Sequence, residues 1–241
     1  MAEFITSKDN KRIKELVKLG MRPSPDRFVI EGYHAIEVAF TSHHLKEVYC
    51  LEDPHLPNIP TYVVNEAILK KVSKANTFEK IIGVASIETK KEYGNRVLIL
   101  DRLQDPGNIG TLLRTAASFG FEDVVFLKGT CSPFNYKAVA SCEGALFHAN
   151  LHFESGIDCI QSLKQQGFHI FGSALRNAKP LENCSLKHEK IGLILGNEGQ
   201  GMSEELLSIT DENIKISMQT MESLNVGIAG GILMHAIFST R

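Results

Sequence analysis

The sequence has no tryptophan, and its five cysteines (Cys50, Cys131, Cys142, Cys159 and Cys184) are odd in number and never form a CxxC pair. That argues against a disulfide framework and against a zinc ribbon or finger, and it favours a reducing compartment. No HxH, HExxH or Cys/His cluster has metal-ligand spacing, so no metal is expected. G-x-G-x-x-G and G-x-x-x-x-G-K-[ST] are both missing, which removes the usual dinucleotide and triphosphate loops. G-x-S-x-G is missing too, and with it the nucleophile elbow. The longest apolar run, Leu224 to Phe238, falls short of the roughly 20 residues of a membrane helix and is interrupted by Asn225 and His235. The opening residues Met1 to Thr6 show neither a secretory nor a mitochondrial pattern, so a cytoplasmic protein without a membrane span is expected.

What is present suits an ordinary globular chain. Its 241 residues are 43% hydrophobic and 22% charged, enough for one large or two modest domains. The net charge of −2 announces no global basic field, but the charge is uneven. Residues 1–96 hold 15 Lys and Arg against 13 Asp and Glu, and the remaining residues hold 11 against 15. A slightly basic N-terminal module on an acidic body is compatible with RNA binding, and equally with a solvated helix face.

Apolar spacing predicts a helix over Lys8–Leu19, a strand at Phe28–Ile30, a helix over Tyr33–Phe40 and a strand over Leu45–Cys50. A strand at Tyr62–Val64, a helix over Glu66–Val72 and a strand over Ile81–Ala85 complete a small α/β module, residues 1–87. The polar stretch 88–96 reads as a linker. From 97 to 241 the pattern changes. Val97–Leu100, Val124–Leu127, His169–Phe171 and Ile191–Leu195 are continuous apolar runs, as in strands buried on both faces of a parallel sheet. Helical stretches Ile109–Phe119, Tyr136–Leu146, Ile157–Gln166 and Ser203–Ile209 alternate with them, implying βαβ units. A strand at Asn213–Ile216 and a helix over Leu224–Phe238 close the chain.

Ligands of parallel sheets bind beyond the carboxyl ends of the strands, so those segments hold the candidates. Gly196-Asn-Glu-Gly-Gln-Gly201 follows one strand, and Ser203 after it reads as a helix cap. By itself this loop is also compatible with a plain tight turn. Asp101 to Gly110 follows another strand, with Asn108 read as the cap of a helix carrying Arg114. An arginine on so apolar a helix needs an anionic partner, either a ligand or a carboxylate such as Asp101 or Glu198. Ser217 to Gly227 follows a third strand, and Ser223 there reads as a helix cap.

Taken together, the three segments resemble the signature motifs of the SpoU (TrmH-type) RNA 2′-O-ribose methyltransferases of the SPOUT superfamily. DRLQDPGNIGTLLRTAA (Asp101–Ala117), LILGNEGQGM (Leu193–Met202) and ISMQTMESLNVGIAGGIL (Ile216–Leu233) match in order, spacing and placement after strands. Residues 6–85 also resemble the small, ribosomal-protein-like substrate-binding domain of many members. The resemblance implies an α/β fold whose C-terminal parallel-sheet domain carries a deep trefoil knot. It implies S-adenosylmethionine held largely by main-chain groups at Gly196, Ile216 and Leu224, with Gly201 in the same loop and Ser173 and Ala174 near the adenine. It also implies a homodimer with a composite site, and an RNA substrate, ribosomal or transfer. Arg114 would assist the ribose hydroxyl, with Asn108, Glu198, Ser223 and Asn225 around it. Two positions depart from the pattern: Gly227 stands for the usual Ser, and Ser217 for the usual Pro. Two other readings stay open. One is a non-catalytic RNA-binding or ribosome-assembly factor, against which the intact polar residues speak. The other is an unrelated nucleotide-binding enzyme, which the missing phosphate loops disfavour.

Overall fold

Asn10 and Asn65 each turn a side-chain oxygen onto the main-chain N–H of the helix that follows, which fixes where two amphipathic segments start. The computed structural model describes residues 2–74 and 78–240. In chain order its first elements are β1 (Glu3–Ile5), α1 (Lys11–Met21), β2 (Phe28–Glu31), α2 (Tyr33–Thr41), β3 (Leu45–Cys50), β4 (Thr61–Val64), α3 (Glu66–Val72) and β5 (Ile81–Ala85). The strands pair in the order β1-β4-β3-β5-β2, with β1, β4 and β3 parallel and β5 antiparallel to β3 and β2. Ile13 and Leu16 of α1 and Ile68, Leu69 and Val72 of α3 are buried together against Tyr49, Tyr62, Ile82 and Val84, so both helices cover one face of this sheet.

The elements that follow are β6 (Arg96–Asp101), α4 (Pro106–Ser118), β7 (Asp123–Leu127), α5 (Tyr136–Ser141), β8 (Asn150–Glu154), α6 (Ile157–Gln165), β9 (His169–Ser173), β10 (Lys179–Pro180), β11 (Ile191–Gly196), α7 (Glu204–Ile209), β12 (Glu212–Lys215) and α8 (Val226–Phe238). Seven strands form one wholly parallel sheet in the order β10-β12-β9-β11-β6-β7-β8. Helices α6 and α7 cover one face, where Ile160, Leu163 and Leu206 meet Ile99, Val125, Ile170 and Ile194. Helices α4 and α8 pack on each other, and α8 also packs on β11. No described helix is long and apolar enough to cross a membrane.

The chain divides into two compact units, residues 1–88 with 133–147, and residues 89–132 with 148–241. The segment expected as one helix over Tyr136–Leu146 is therefore two short pieces, α5 and a 3-10 turn at Ala145–His148, split by Gly144 in the left-handed region. Residues 133–147 belong to the first unit, where Phe134 and Phe147 lie 4.9 and 6.0 Å from the Phe28 ring.

Candidate active site

Because β12, β9, β11 and β6 run parallel, the segments leaving Lys215, Ser173, Gly196 and Asp101 emerge at one edge of the sheet. The three motif segments, remote in sequence, thus share that edge.

The first motif turns sharply. Asp105 caps α4, its side chain accepting from the Gly107 N–H at 2.8 Å, and Pro106 takes the first helical position. The cap is therefore Asp105 and not Asn108, because Pro106 has no N–H to lose and its fixed φ suits that position. Asn108 is thereby carried inside the first turn and buried. Its amide Nδ2 donates to Glu198 Oε1 at 3.1 Å, and its Oδ1 accepts from Asn225 Nδ2 at 2.9 Å. Asn225 in turn caps α8, accepting from the Gly227 and Ile228 N–H groups. The expected cap Ser223 sits two residues earlier and is exposed. One run of bonds, Glu198–Asn108–Asn225–α8, joins all three motifs.

Glu198 does more than meet Asn108. Its carboxylate accepts from the main-chain N–H of Asp105 at 3.1 Å and of Gln104 at 3.2 Å. Burial pushes this carboxyl up, but hydrogen bonds from its own main chain, from Asn108, and from Asp105 and Gln104 outweigh burial and hold it below the usual glutamate value.

The second motif is tied largely to itself. Asn197 and Gly201 exchange main-chain bonds of 3.1 and 2.9 Å, and Asn197 Oδ1 accepts from the Gly199 and Gln200 N–H groups. Gly201 has φ +70. A Cβ on Gly196 would collide with the main chain of Gly201 and Met202, so this glycine is required by the turn folding back over the strand end. Ser203 caps α7 as expected.

Arg102 is the residue that pattern reading missed. It holds φ +58, and its guanidinium donates to both oxygens of buried Asp101, to Gln200 Oε1 at 3.1 Å and to the Gly201 carbonyl at 3.2 Å. The bond to Asp101 raises its pKa above the usual arginine value. Asp101 also accepts from the Ser203 N–H at 2.9 Å. An Asp-Arg pair directly after a buried strand was the available signal, but these partners are about a hundred residues away.

Arg114 is exposed, and among the described residues it makes no ion pair. The two carboxylates considered for it are taken by other groups, Asp101 by Arg102 and Glu198 by Asn108 and two main-chain N–H groups. In the third motif, Ile216 is half-buried and Leu224 exposed. No hydrogen bond among the described residues engages the main chain from Met218 to Leu224. Ser217 donates to Glu182 Oε1 at 2.6 Å. Ser173 and Ala174 lie at the end of β9, where the Ala174 N–H donates to the Ile214 carbonyl. Among the described residues no group of three His, Cys, Asp or Glu could hold a metal.

The model of the SpoU rRNA Methylase family matches residues 95–235. The chain belongs to the SpoU rRNA methylase family. Its relatives include the Bacillus subtilis 23S rRNA (guanosine(2553)-2'-O)-methyltransferase RlmP, 34% identical over 96% of this chain and 97% of that protein. Among solved structures, a Sinorhizobium meliloti rRNA methyltransferase matches with a TM-score of 0.90 at 21% identity, covering 99% of this chain and 98% of that one. An RNA 2'-O ribose methyltransferase matches with a TM-score of 0.82 at 26% identity over 99% of both chains. The SpoU match spans all three motif segments described above, and the structural likeness spans both units.

Proposed function

We propose that this chain transfers a methyl group from S-adenosylmethionine to the 2′-hydroxyl of a ribose in structured RNA, with ribosomal RNA favoured over transfer RNA. The observation that carries this reading is the Glu198–Asn108–Asn225 run, which fastens three remote motifs at the ligand-binding edge of a parallel sheet. The name of RlmP supports ribosomal RNA as the substrate class.

The residues present suit the cofactor. Main-chain groups from Met218 to Leu224 are unspent, in a segment exposed from Gln219 onward, so they are free to bond a ligand. Exposed Leu175, in the segment after β9, and exposed Met221 and Leu224, in the segment after β12, offer apolar surface for an adenine. Gly196, Ile216 and Leu224 would form the main-chain cradle, Gly201 would shape it, and Ser173 with Ala174 would border the adenine. When bound, S-adenosylmethionine supplies an electrophilic methyl carbon on a sulfonium.

Arg114 brings positive charge to the hydroxyl oxygen as negative charge develops there. A guanidinium with a pKa above ~12 is a poor base, so its role is electrostatic. Asn108 and Asn225 fix the start of the helix that carries it, and Ser223 orients the ribose. Glu198 serves as an anchor, because three donors already occupy its carboxylate. Residues 1–87 would be the RNA substrate-binding domain, 88–96 the linker and 97–241 the methyltransferase domain, apart from residues 133–147, which fold with the first unit. Likeness to solved SpoU folds supports a trefoil knot, an exception to the rule against threaded chains. Exposed Ile228 and Ile232, one turn apart on α8, support a homodimer formed through that helix. Cytoplasmic action goes with such a substrate.

The test is a ribose-methylation map of RNA from cells lacking the protein, complemented with wild type or Arg114→Ala. One mark should vanish and return only with wild type. Arg114→Ala should retain cofactor binding and lose turnover by about 10²-fold or more, the scale of one lost charge-stabilising group. An unchanged map would favour the non-catalytic RNA-binding reading.

A further inference from the structure

The first unit is close to electrically neutral, yet its charges are segregated. Residues 8–22 and 66–74, which contain α1 and α3, carry nine Lys and Arg against three Asp and Glu. The rest of that unit carries four against ten. All nine cations are exposed: Lys8, Lys11, Arg12, Lys14, Lys18 and Arg22 from the first stretch, and Lys70, Lys71 and Lys74 from the second. The two helices pack side by side, and Ile13, Leu16, Ile68, Leu69 and Val72 point to one core, so the exposed cations form the solvent side of a single layer, with Arg12 over the Tyr62 ring and Lys70 over the Phe78 ring at its margin. Cross-links keep the layer together: Lys71 Nζ donates to the Lys8 carbonyl at 3.2 Å, and Lys74 Nζ to the Gly20 carbonyl at 2.6 Å. The three acids are partly used, Asp9 by Lys14 at 3.5 Å, Glu15 by Lys11 at 4.0 Å, and Glu66 by Lys70. The positive excess therefore remains.

We infer that the outer face of α1 and α3 grips the phosphate backbone of the RNA substrate, which rests on the reading that this chain acts on RNA. The two stretches themselves contain no aromatic residue, so what they offer is charge without base-edge readout. The face is suited to a folded or double-helical region recognised by shape and phosphate spacing. At about 1.5 Å per residue, α1 alone is roughly 16 Å long, enough to meet several phosphates. Sequence selection must then come from elsewhere on the protein.

The experiment measures binding of an unmodified 23S ribosomal RNA transcript across a potassium chloride series. It compares the full-length wild type, K11Q/K14Q/K18Q on the face, and K46Q/K80Q/K137Q off it. Glutamine keeps helix propensity, and matching unfolding midpoints would confirm that each variant is folded. The face triple should bind about tenfold or more weakly, with the log–log salt slope shallower by about 2 to 3, as expected for three lost phosphate contacts. The off-face triple should match wild type. Unchanged affinity and slope in the face triple, or an equal loss in the off-face triple, overturns the inference. So does binding to phosphatidylglycerol vesicles with no binding to the transcript. The methylation map separates the two readings. A map unchanged in cells lacking the protein, with a shifted slope, removes the reaction and keeps the face, whereas a mark lost in those cells, with an unshifted slope, removes only the face.

Discussion

Asn108 spends both ends of its amide, donating to Glu198 and accepting from Asn225, while buried. Asn108→Ala strands the Asn225 amide and removes one donor from Glu198, so the protein should lose about 1–3 kcal/mol in urea unfolding. Glu198 gives a pH test. Its carboxyl is held below its unfolded value, so its contribution is complete above the ordinary glutamate pKa and is lost as pH falls through the folded one. The stability gap between wild type and Glu198→Gln should therefore be constant near neutrality and close below about pH 4. Constancy down to pH 3 would show that the carboxylate charge is not what holds the loop. At this scale the sequence revealed which residues gather but not how they bond. Asp105 and Asn108 are both good caps, and only Pro106 between them decides. Gln200 and Gly201, the distant partners of Arg102, are fixed by tertiary contact and leave no local pattern.

Between elements, the glycines at the fifth and sixth positions of α8 behave oppositely. A Cβ on Gly230 would press into Leu112 and come within 2.7 Å of Leu195 Cδ1, whereas one on Gly231 would meet Thr115 Cγ2 at an ordinary 3.7 Å. Gly230→Ala should destabilise by about 1–3 kcal/mol through overpacking. Gly231→Ala should stabilise by up to about 1 kcal/mol, because alanine is the better helix former. Thermal unfolding of the two variants checks both signs. The family departure at Gly227 has a physical setting here, since a side chain would stand 3.3 Å from Thr111 Cγ2. The central strands β6, β7 and β11 were legible because burial on both faces demands unbroken apolar runs. Strands β1, β8 and β10 were not. β1 and β10 have three and two residues, and β8 is the mixed NLHFE at the sheet edge.

For the molecule as a whole, cofactor binding should register where the main chain is unspent. Amide hydrogen exchange from Met218 to Leu224 should be fast in the free protein and slow on adding S-adenosylmethionine, with β6, β9 and β11 protected throughout. At a hundredfold excess over Kd, global stability should rise by about 2.7 kcal/mol. Unaltered exchange in that span would place the cofactor elsewhere.

The bonds from Asn108 reach partners 90 and 117 residues further along the chain. During synthesis, a nascent polypeptide lacks the last of these partners until position 225 has left the ribosome. A product truncated before that position cannot fasten the third motif to the first.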